Sequence, residues 1–332
     1  MVMSTNTLAP PGTSLRSLIS GFILTKQTEG KTPDTIEYYS SNLKRILWYA
    51  GQNGWSDDIR LITDWHLKTF LGYVAGEKRR WGIEGNGSEN AHRQVTYSTV
   101  RHYYVVLSTF YSWSLREEYI TTNPMSKIHV SKVQPKVITP YTIEEVKLML
   151  EVCDHDLSHN VKFLGSRNRA IILVLVDTGV RLSELAGMKL SDIDHEKGYI
   201  KVTGKGRKER VVRIGKTAQK AVWRYLMYRP QNQYQEIWLT EEGKPLHGVG
   251  VQCFIKRLKQ RAGINGAGST HRFRHTFAVN FLRADRNVFN LQYLLGHLTA
   301  LSASLKGRIT SNSVLHLGHA YSYIGIVVSF IC

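Results

Sequence analysis

The segment from Ser131 to Tyr141, SKVQPKVITPY, limits most strongly how this chain can fold. It carries two prolines and lacks the apolar spacing of a helix, so neither a helix nor a central strand can run through it. With 332 residues, the chain is long enough to build a core on each side. We therefore predict a disordered lead (1–13), a first domain (14–130), a linker (131–141) and a second domain (142–297), followed by an atypical tail (298–332).

Apolar residues recur every three or four positions through the first domain, which predicts a bundle of four helices. The hydroxyl side chains expected to cap the last three helices are those of Thr32, Thr63 and Ser98. Several basic side chains on this domain could follow a phosphate backbone, although each one alone is more simply a solvated surface charge. These residues are Lys44, Arg45, Arg80, Arg93 and Arg101.

The second domain combines helices with one predicted hairpin. Thr142 and Glu145 have the spacing of a capping box at a helix start, and Gly179 interrupts a buried helical run. Two segments, Tyr199–Thr203 and Glu209–Ile214, have the composition of strands and flank a glycine-containing turn. The predicted fold class is therefore mainly α with a small β-hairpin or sheet (α+β).

Two turns in the second domain carry candidate site residues. Arg181 follows the Gly179 turn, and Glu184 lies three residues further on the same helix face, where it can hold the arginine side chain. Lys205 stands at the hairpin turn, where a lysine can approach a phosphate or protonate a leaving oxygen. Alternatively, the first two residues form an ordinary surface ion pair and the lysine is a solvated hairpin tip. The turn does not have the spacing of a P-loop.

The stretch from Ser269 to His297 carries the densest set of candidates. His271, Arg274 and His275 fall on one face of a predicted helix, and phenylalanines spaced by four residues mark the neighbouring apolar face. A guanidinium with imidazole donors suits the non-bridging oxygens of a phosphodiester. One alternative is a pair of buried structural histidines with a surface arginine. A zinc pair is weaker, because Arg272 stands where a metalloprotease helix carries glutamate.

The formal net charge of +18 indicates a polyanionic partner. Residues 1–137 carry 16 Lys and Arg against 11 Asp and Glu, and residues 138–332 carry 28 against 15, so both domains are basic. Nucleic acid is the simplest such partner, and an anionic membrane surface is the second. Three cysteines without a CxxC pair fit a reducing cytosol. The apolar run at the C-terminus is far shorter than the ~20 residues of a spanning helix.

Four motifs follow one another along the second domain: TGVRLSEL (178–185), TGKGRKER (203–210), HRFRH (271–275) and LLGH (294–297). In this order and spacing they resemble the tyrosine recombinases, the phage-integrase class of site-specific DNA recombinases. The resemblance covers residues 14 to 297 and implies a SAM-like core-binding domain followed by a catalytic domain. It also implies double-stranded DNA as the partner, four protomers on two DNA sites, and a cytoplasmic, nucleoid-associated protein. The family uses neither a metal nor a nucleotide cofactor.

Transferred position by position, the resemblance implies a role for each candidate residue. Arg181 and Arg274 would clamp the scissile phosphate and stabilise the charge that develops on it. His271 would assist proton transfer, and Lys205 would be the general acid for the leaving 5′ oxygen. His297 would donate a hydrogen bond to a non-bridging oxygen. We expect these residues to line one basic cleft.

The tail departs from the family pattern. The resemblance places the nucleophilic tyrosine at position 306, where this chain has Lys306, and residues 298–310 contain no tyrosine. Tyr321 and Tyr323 lie further along the tail, at a different spacing. No Asp or Glu occurs after Asp285, which suggests a tail read from a shifted frame or a disrupted gene. The nucleophile is therefore unassigned.

Three functions stay open on this basis. The first is a recombinase or integrase that cleaves and rejoins DNA strands through a 3′-phosphotyrosine. The second is a catalytically inactive remnant that binds its DNA site without cutting it. The third is a type IB topoisomerase or a nuclease with similar phosphate chemistry.

Overall fold

The computed structural model describes residues 12–76, 96–131, 138–194, 196–204, 208–266, 270–285 and 287–296. The chain divides into two compact units, Met1–Lys136 and Val137–Cys332. This division falls within the segment predicted as a linker. Most of the predicted lead, the basic residues Arg80 and Arg93, and the whole predicted tail lie outside the described residues.

The described residues of the N-terminal unit form four α-helices around an aromatic core. Phe22 lies at its centre, and its ring meets those of Phe110 and Trp113 edge-on, with both centroid distances at 5.5 Å. The ring of Phe70 meets that of Tyr103 in the same way at 5.4 Å. The helices are α1 (Leu15–Thr28), α2 (Pro33–Gln52), α3 (Asp64–Gly76) and α4 (Tyr97–Arg116), followed by a 3-10 turn at Pro124–Lys127.

The starts of these helices largely follow the expected capping residues. Thr32 is the N-cap of α2, with Pro33 in the first turn. The prediction for α4 is wrong by two residues, because Thr96 rather than Ser98 is its N-cap. The hydroxyl groups of Thr96 and Ser98 lie 2.9 Å apart, so two residues capable of capping stand side by side at this helix start.

Two of the basic residues expected on this unit have partners within it. Arg45 donates a hydrogen bond from Nη1 to the Tyr103 hydroxyl at 2.9 Å. Arg101 donates to the main-chain oxygens of Val130 and Ser131 at 3.2 and 3.3 Å. Lys44 is exposed on α2. Their contact with a phosphate backbone stays a prediction.

The C-terminal unit is built around α6, a helix that is buried over most of its circumference. Every residue from Ala170 to Val176 is at most 3% exposed, because α5, α8 and α10 pack around it. The helices of this unit are α5 (Ile143–Ser158), α6 (Lys162–Thr178), α7 (Leu182–Ala186), α8 (Lys216–Tyr228), α9 (Gly248–Arg261), α10 (Thr270–Asp285) and α11 (Val288–Leu294). The chain is thus mostly helical, as the sequence predicts, and the expected capping box of Thr142 and Glu145 opens α5.

The predicted hairpin is present and belongs to a three-stranded antiparallel sheet in the order β1–β2–β3. Its strands are β1 (Ile193–Asp194), β2 (Tyr199–Thr203) and β3 (Glu209–Arg213). The register pairs Ile200 with Val212 and Val202 with Arg210. The strand β1 was not predicted, because two residues are too few to show an alternating pattern. No helix in the described part of the chain has both the length and the apolar content needed to cross a bilayer.

The helix α10 is fastened to the start of α5 by Arg272. The guanidinium of Arg272 stacks 3.9 Å from the centroid of the Tyr141 ring, and its Nη2 donates to Glu145 Oε2 at 2.7 Å. The main-chain N–H of Tyr141 donates to Thr276 Oγ1 at 2.8 Å. These contacts orient α10, so that Phe273 is buried in the main core.

Asp177 joins the last turn of α6 to the beginning of α8. Its side chain is completely buried, and one carboxylate oxygen accepts a hydrogen bond from the main-chain N–H of Gly215. The other oxygen, Oδ1, has no hydrogen-bond partner among the described residues. Burial raises the pKa of Asp177 to about 6, against the lowering effects of the Gly215 hydrogen bond and the charge of Arg213.

Gly179 ends α6 and sets the turn that leads to α7. Its φ is +59°, a left-handed conformation that a residue with a Cβ adopts only at a cost. A Cβ at this position would also lie 2.6 Å from Cδ1 of Phe277, so the missing side chain lets α10 approach the turn. Phe277 and Phe281 form a second apolar cluster with Leu291, Leu294 and Leu295.

We predict that Gly179→Ala destabilises the C-terminal unit by about 3 kcal/mol, because backbone strain adds to overpacking against a buried ring. Gly263→Ala is the matched control, since Gly263 has a φ of +67° but nothing within 4 Å of the added Cβ. Strain alone should cost the control about 1 kcal/mol. Urea denaturation of both variants measures the difference, and equal losses would contradict the role of the close approach to Phe277.

Candidate active site

Arg181 lies between α6 and α7, where it is the N-cap residue of α7. Its main-chain N–H donates to Glu184 Oε2 at 2.8 Å, and its Nη1 donates to Glu184 Oε1 at 2.9 Å. The contact expected from the spacing of the two residues is therefore present. The Glu184 side chain is fully buried, whereas that of Arg181 keeps 29% of its exposure. The arginine thus extends from a buried carboxylate towards solvent.

A second arginine that the sequence did not single out, Arg210, grips the same carboxylate. Its Nη1 donates to Glu184 Oε1 at 2.6 Å and its Nη2 to Glu184 Oε2 at 2.8 Å. Its Nε donates to the main-chain oxygen of Leu294 at 2.9 Å. Arg210 lies two residues before the buried Val212 on β3, so both side chains point to the inner face of the sheet. A charged residue at an inward strand position is the only sequence signal for this contact.

The carboxylate of Glu184 is held in its charged form by these two arginines. Burial raises its pKa, but hydrogen bonds and charges from Arg210 and Arg181 outweigh burial and bring the pKa down to about 2. At neutral pH the group therefore carries a full negative charge between two guanidinium groups.

Arg274 extends from α10 to the neighbourhood of Arg181 and Glu184. Its Nη1 donates to the main-chain oxygen of Gly179 at 2.8 Å, and its Nη2 donates to that of Leu295 at 2.6 Å. Burial and the neighbouring charge of Arg181 lower the pKa of Arg274 to about 10, while Glu184 acts in the opposite direction. The guanidinium remains protonated at neutral pH. We call Arg181, Glu184, Arg210 and Arg274 the arginine cluster.

Two glycines border the arginine cluster. A Cβ added to Gly204 would lie 3.1 Å from Glu184 Oε1. A Cβ added to Gly296 would lie 3.3 Å from Nη1 of Arg210 and 3.5 Å from Nη1 of Arg181. Each of these glycines directly precedes a candidate residue, Lys205 or His297, and both of those candidates lie outside the described residues.

The two histidines of α10 are not core residues. His271 is exposed and His275 is partly buried, so the alternative of two buried structural histidines is wrong. The phenylalanines that share the helix are all buried, with Phe273, Phe277 and Phe281 at no more than 1% exposure. Among the described residues, no cluster of three or more His, Cys, Asp or Glu side chains is arranged to hold a metal ion.

The described part of the site thus brings Arg181 and Arg274 together with a buried carboxylate and a third guanidinium. Three positive groups around one negative group leave an excess of positive charge, which favours an anion. Guanidinium groups are suited to the paired oxygens of a phosphate. The placement of Lys205 and His297 in the same cleft stays a prediction.

We predict that Glu184→Gln lowers the free energy of unfolding by about 3 kcal/mol at pH 7, because two guanidinium groups lose the charge between them. The folded pKa of about 2 lies below the ordinary value of 4.5, so this stabilisation is present above pH 4.5 and is lost as the pH falls towards 2. The difference between the two proteins should therefore shrink on acidification.

The measurement is urea denaturation at pH 7, 5 and 3.5. Glu209→Gln is the control, since the exposed Glu209 pairs at 3.4 Å with an exposed lysine, and it should shift stability by less than about 0.5 kcal/mol. A gap between Glu184→Gln and the parent protein that does not change with pH would exclude the carboxylate as its origin.

Both units match known protein families. Residues 141–303 match the phage integrase family, and residues 18–121 match the phage integrase N-terminal SAM-like domain. The first match ends three residues before Lys306.

Two relatives illustrate the similarity. Tyrosine recombinase XerC of Leptospira interrogans serovar copenhageni is 36% identical over 193 residues, which are 58% of this chain and 61% of that protein. Tyrosine recombinase XerC of Listeria innocua is 32% identical over 221 residues, which are 65% of this chain and 71% of that protein.

Among solved structures, a lambda integrase tetramer bound to a Holliday junction superimposes with a TM-score of 0.64 and 20% identity, covering 90% of this chain and 80% of that chain. The two proteins share a fold. Both units match one family, and most of a related recombinase is covered at more than 30% identity. The chain therefore belongs to the phage integrase family, to which the motifs around Arg181 and Arg274 had pointed.

Proposed function

We propose that this chain is a site-specific DNA recombinase of the tyrosine type, which binds double-stranded DNA and holds one phosphodiester between Arg181 and Arg274. The observation that carries the proposal is the arginine cluster. Residues from α7, β3 and α10, far apart in sequence, place three guanidinium groups around one buried carboxylate. A positive, preorganised site of this kind stabilises the charge that builds up on a phosphate during transfer.

The remaining roles follow from the positions of the family motifs. Lys205 protonates the leaving 5′ oxygen, His271 assists proton transfer, and His297 donates to a non-bridging oxygen. Support for Lys205 and His297 comes from their neighbours, because Gly204 and Gly296 both border the arginine cluster. Glu184 keeps Arg181 in position through its two hydrogen bonds to that residue.

Double-stranded DNA is the partner that the charge and the family favour. The net charge of +18 is spread over both halves of the chain. The lambda integrase with which the chain superimposes was solved as a tetramer on a Holliday junction. We extend that arrangement to this chain as four protomers that join two DNA sites. We also propose that the protein acts in the cytoplasm, associated with the nucleoid, where its DNA substrate would lie.

The reaction is an exchange of phosphodiester bonds. A tyrosine hydroxyl gives up its proton as its oxygen attacks the phosphorus, and the bond to the 5′ oxygen breaks. The 5′ oxygen takes up a proton to become a hydroxyl group, so no net proton is consumed. The phosphate is then joined to the enzyme as a 3′-phosphotyrosine, and attack by another 5′ hydroxyl reverses the step. The bond energy is conserved throughout, so no nucleotide cofactor is needed.

A second candidate function is a DNA-binding remnant that cannot cleave. It is favoured by one observation, the presence of Lys306 where the family has its nucleophile. A lysine there would form a phosphoramidate, which does not support the same exchange. No observation favours a type IB topoisomerase or a nuclease.

From Lys306 and the second candidate function, we predict that the unmodified chain forms no covalent adduct with nicked suicide duplexes made from the DNA that flanks its gene, whereas a complete recombinase would form one. Replacing residues 298–332 with a family tail that places tyrosine at position 306 should restore an adduct, because a nucleophile then reaches the clamped phosphate in line. Denaturing gel electrophoresis detects the adduct. The same tail with phenylalanine at that position is the control.

The opposite result is an adduct with the unmodified chain that disappears in Tyr321→Phe or Tyr323→Phe. That result would show that a tyrosine of the tail supplies the nucleophile and that the chain is an intact enzyme. Absence of any adduct with the replaced tail would count against the proposed chemistry of the arginine cluster.

We predict that the affinity for a 30-base-pair duplex falls steeply with salt, with log K dropping by about 0.9 per phosphate contacted for each unit of log salt. Arg274→Ala should weaken this binding by less than about tenfold, because it removes one phosphate contact among many. The same change should slow cleavage by the tail-replaced chain by about 100-fold or more.

Fluorescence anisotropy at several salt concentrations measures the binding. Arg283→Ala, which removes an exposed arginine from the last turn of the same helix, is the control and should leave the cleavage rate unchanged. An affinity that does not depend on salt would exclude a nucleic acid as the partner.

A further inference from the structure

Arg210 belongs to the arginine cluster but is assigned no contact with the phosphate, and every nitrogen of its guanidinium is engaged within the protein. Nη1 and Nη2 donate to the two oxygens of Glu184, and Nε donates to the main-chain oxygen of Leu294. The side chain is only 13% exposed. A buried arginine with a fixed partner on each nitrogen holds the groups it contacts in one geometry, which a solvated surface charge does not do.

The first partner of the Arg210 guanidinium is the carboxylate of Glu184, which also holds Arg181. Oε1 of Glu184 accepts from Nη1 of Arg181 and from Nη1 of Arg210, and Oε2 accepts from the Arg181 main-chain N–H and from Nη2 of Arg210. Each carboxylate oxygen therefore accepts two hydrogen bonds, which fills its acceptor capacity. With Arg210 in place, the carboxylate cannot rotate without breaking bonds on both sides.

The second partner is the end of α11. Leu294 is the last residue of this helix, and its main-chain oxygen accepts from Arg210. The next oxygen, that of Leu295, accepts from Arg274. Helix-terminal carbonyl groups carry partial negative charge and have no partner within the helix, so cations stabilise them. Gly296 follows directly, and it precedes His297.

We infer that Arg210 is a positioning residue of the phosphate-binding site, which fixes the direction of Arg181 through Glu184 and the end of α11 through Leu294. The inference rests on the proposed function for the part played by Arg181. The inference adds Arg210 to the residues of the site, as one that touches neither the substrate nor a reacting atom. It also explains how β3, α7 and α11 are kept in one arrangement by a single side chain.

A lysine could not perform this task. Its ammonium group is a single point of charge, whereas the contacts to Glu184 and Leu294 need three nitrogens in a planar fork. Arg210→Lys therefore retains the positive charge but loses the simultaneous hydrogen bonds to Glu184 and Leu294. This distinction separates positioning from a general electrostatic effect on stability.

Hydrogen exchange of main-chain amides tests the inference without DNA and without activity. The Arg181 amide donates to Glu184, and the Gly296 amide donates to the main-chain oxygen of Tyr293 at 3.0 Å. In Arg210→Met we expect both amides to exchange about tenfold faster or more. The Arg181 amide loses a restraint on its acceptor Glu184, and the Gly296 amide loses the Arg210 contact that holds the adjoining carbonyl of Leu294. Arg210→Lys should exchange as fast as Arg210→Met at both positions.

Arg213→Met is the matched control. It removes a guanidinium from the same strand, but Arg213 lies on the opposite, exposed face of β3. It should leave the exchange of the Arg181 and Gly296 amides unchanged. Slow exchange of both amides in Arg210→Met and Arg210→Lys, as in the parent protein, would overturn the inference.

Cleavage by the tail-replaced chain gives a second readout. In that background we expect Arg210→Lys to lower the rate of adduct formation by about 100-fold, while its Kd for duplex DNA changes less than threefold. Full activity of Arg210→Lys would overturn the inference. If the tail-replaced parent forms no adduct at all, the proposed function fails, and the exchange measurement still decides the role of Arg210.

Discussion

The attraction between the buried carboxylate of Glu184 and the guanidinium groups around it is the interaction on which the site depends. Arg181, Arg210 and Arg274 carry like charges, and bringing them together without a counter-charge would be strongly unfavourable. Glu184 offsets that repulsion and makes direct hydrogen bonds to two of the three. One negative charge for three positive charges leaves the surplus that a phosphate can neutralise. The same carboxylate therefore makes the cluster stable enough to fold and positive enough to bind an anion.

Main-chain oxygens provide further hydrogen-bond acceptors for the arginines of the cluster. Arg274 holds the oxygens of Gly179 and Leu295, and Arg210 holds that of Leu294, so the turn after α6 and the end of α11 meet across two side chains. The apolar cluster of Phe277 and Phe281 with α11 lies beneath these polar contacts. The glycine at 179 is part of the same arrangement, since a side chain there would push against Phe277. Packing and polar contacts thus fix the same segments from two sides.

Much of this architecture could be predicted from the sequence, because helices with one apolar face leave a periodic signal. The phenylalanines of α10, the turn at Gly179 and the hairpin strands are examples. The start of α4 was misplaced, because Thr96 and Ser98 are both good capping residues and local sequence does not choose between them. The strand β1 is too short for any pattern. Arg210 was missed for a different reason, since its partners lie 26 and 84 residues away and only the folded chain brings them together.

Asp177 and Glu184 lie seven residues apart, and folding shifts their pKa values in opposite directions. Below about pH 4.5 an unfolded Glu184 binds protons that the folded group gives up, since its folded pKa is about 2. Between about pH 4 and 6 the buried Asp177 retains a proton that the unfolded carboxyl has already released, since its folded pKa is about 6. The first group favours folding as the pH rises, and the second favours it as the pH falls. At neutrality the unit therefore carries the cost of a charged, buried Asp177 in addition to assembling its arginines.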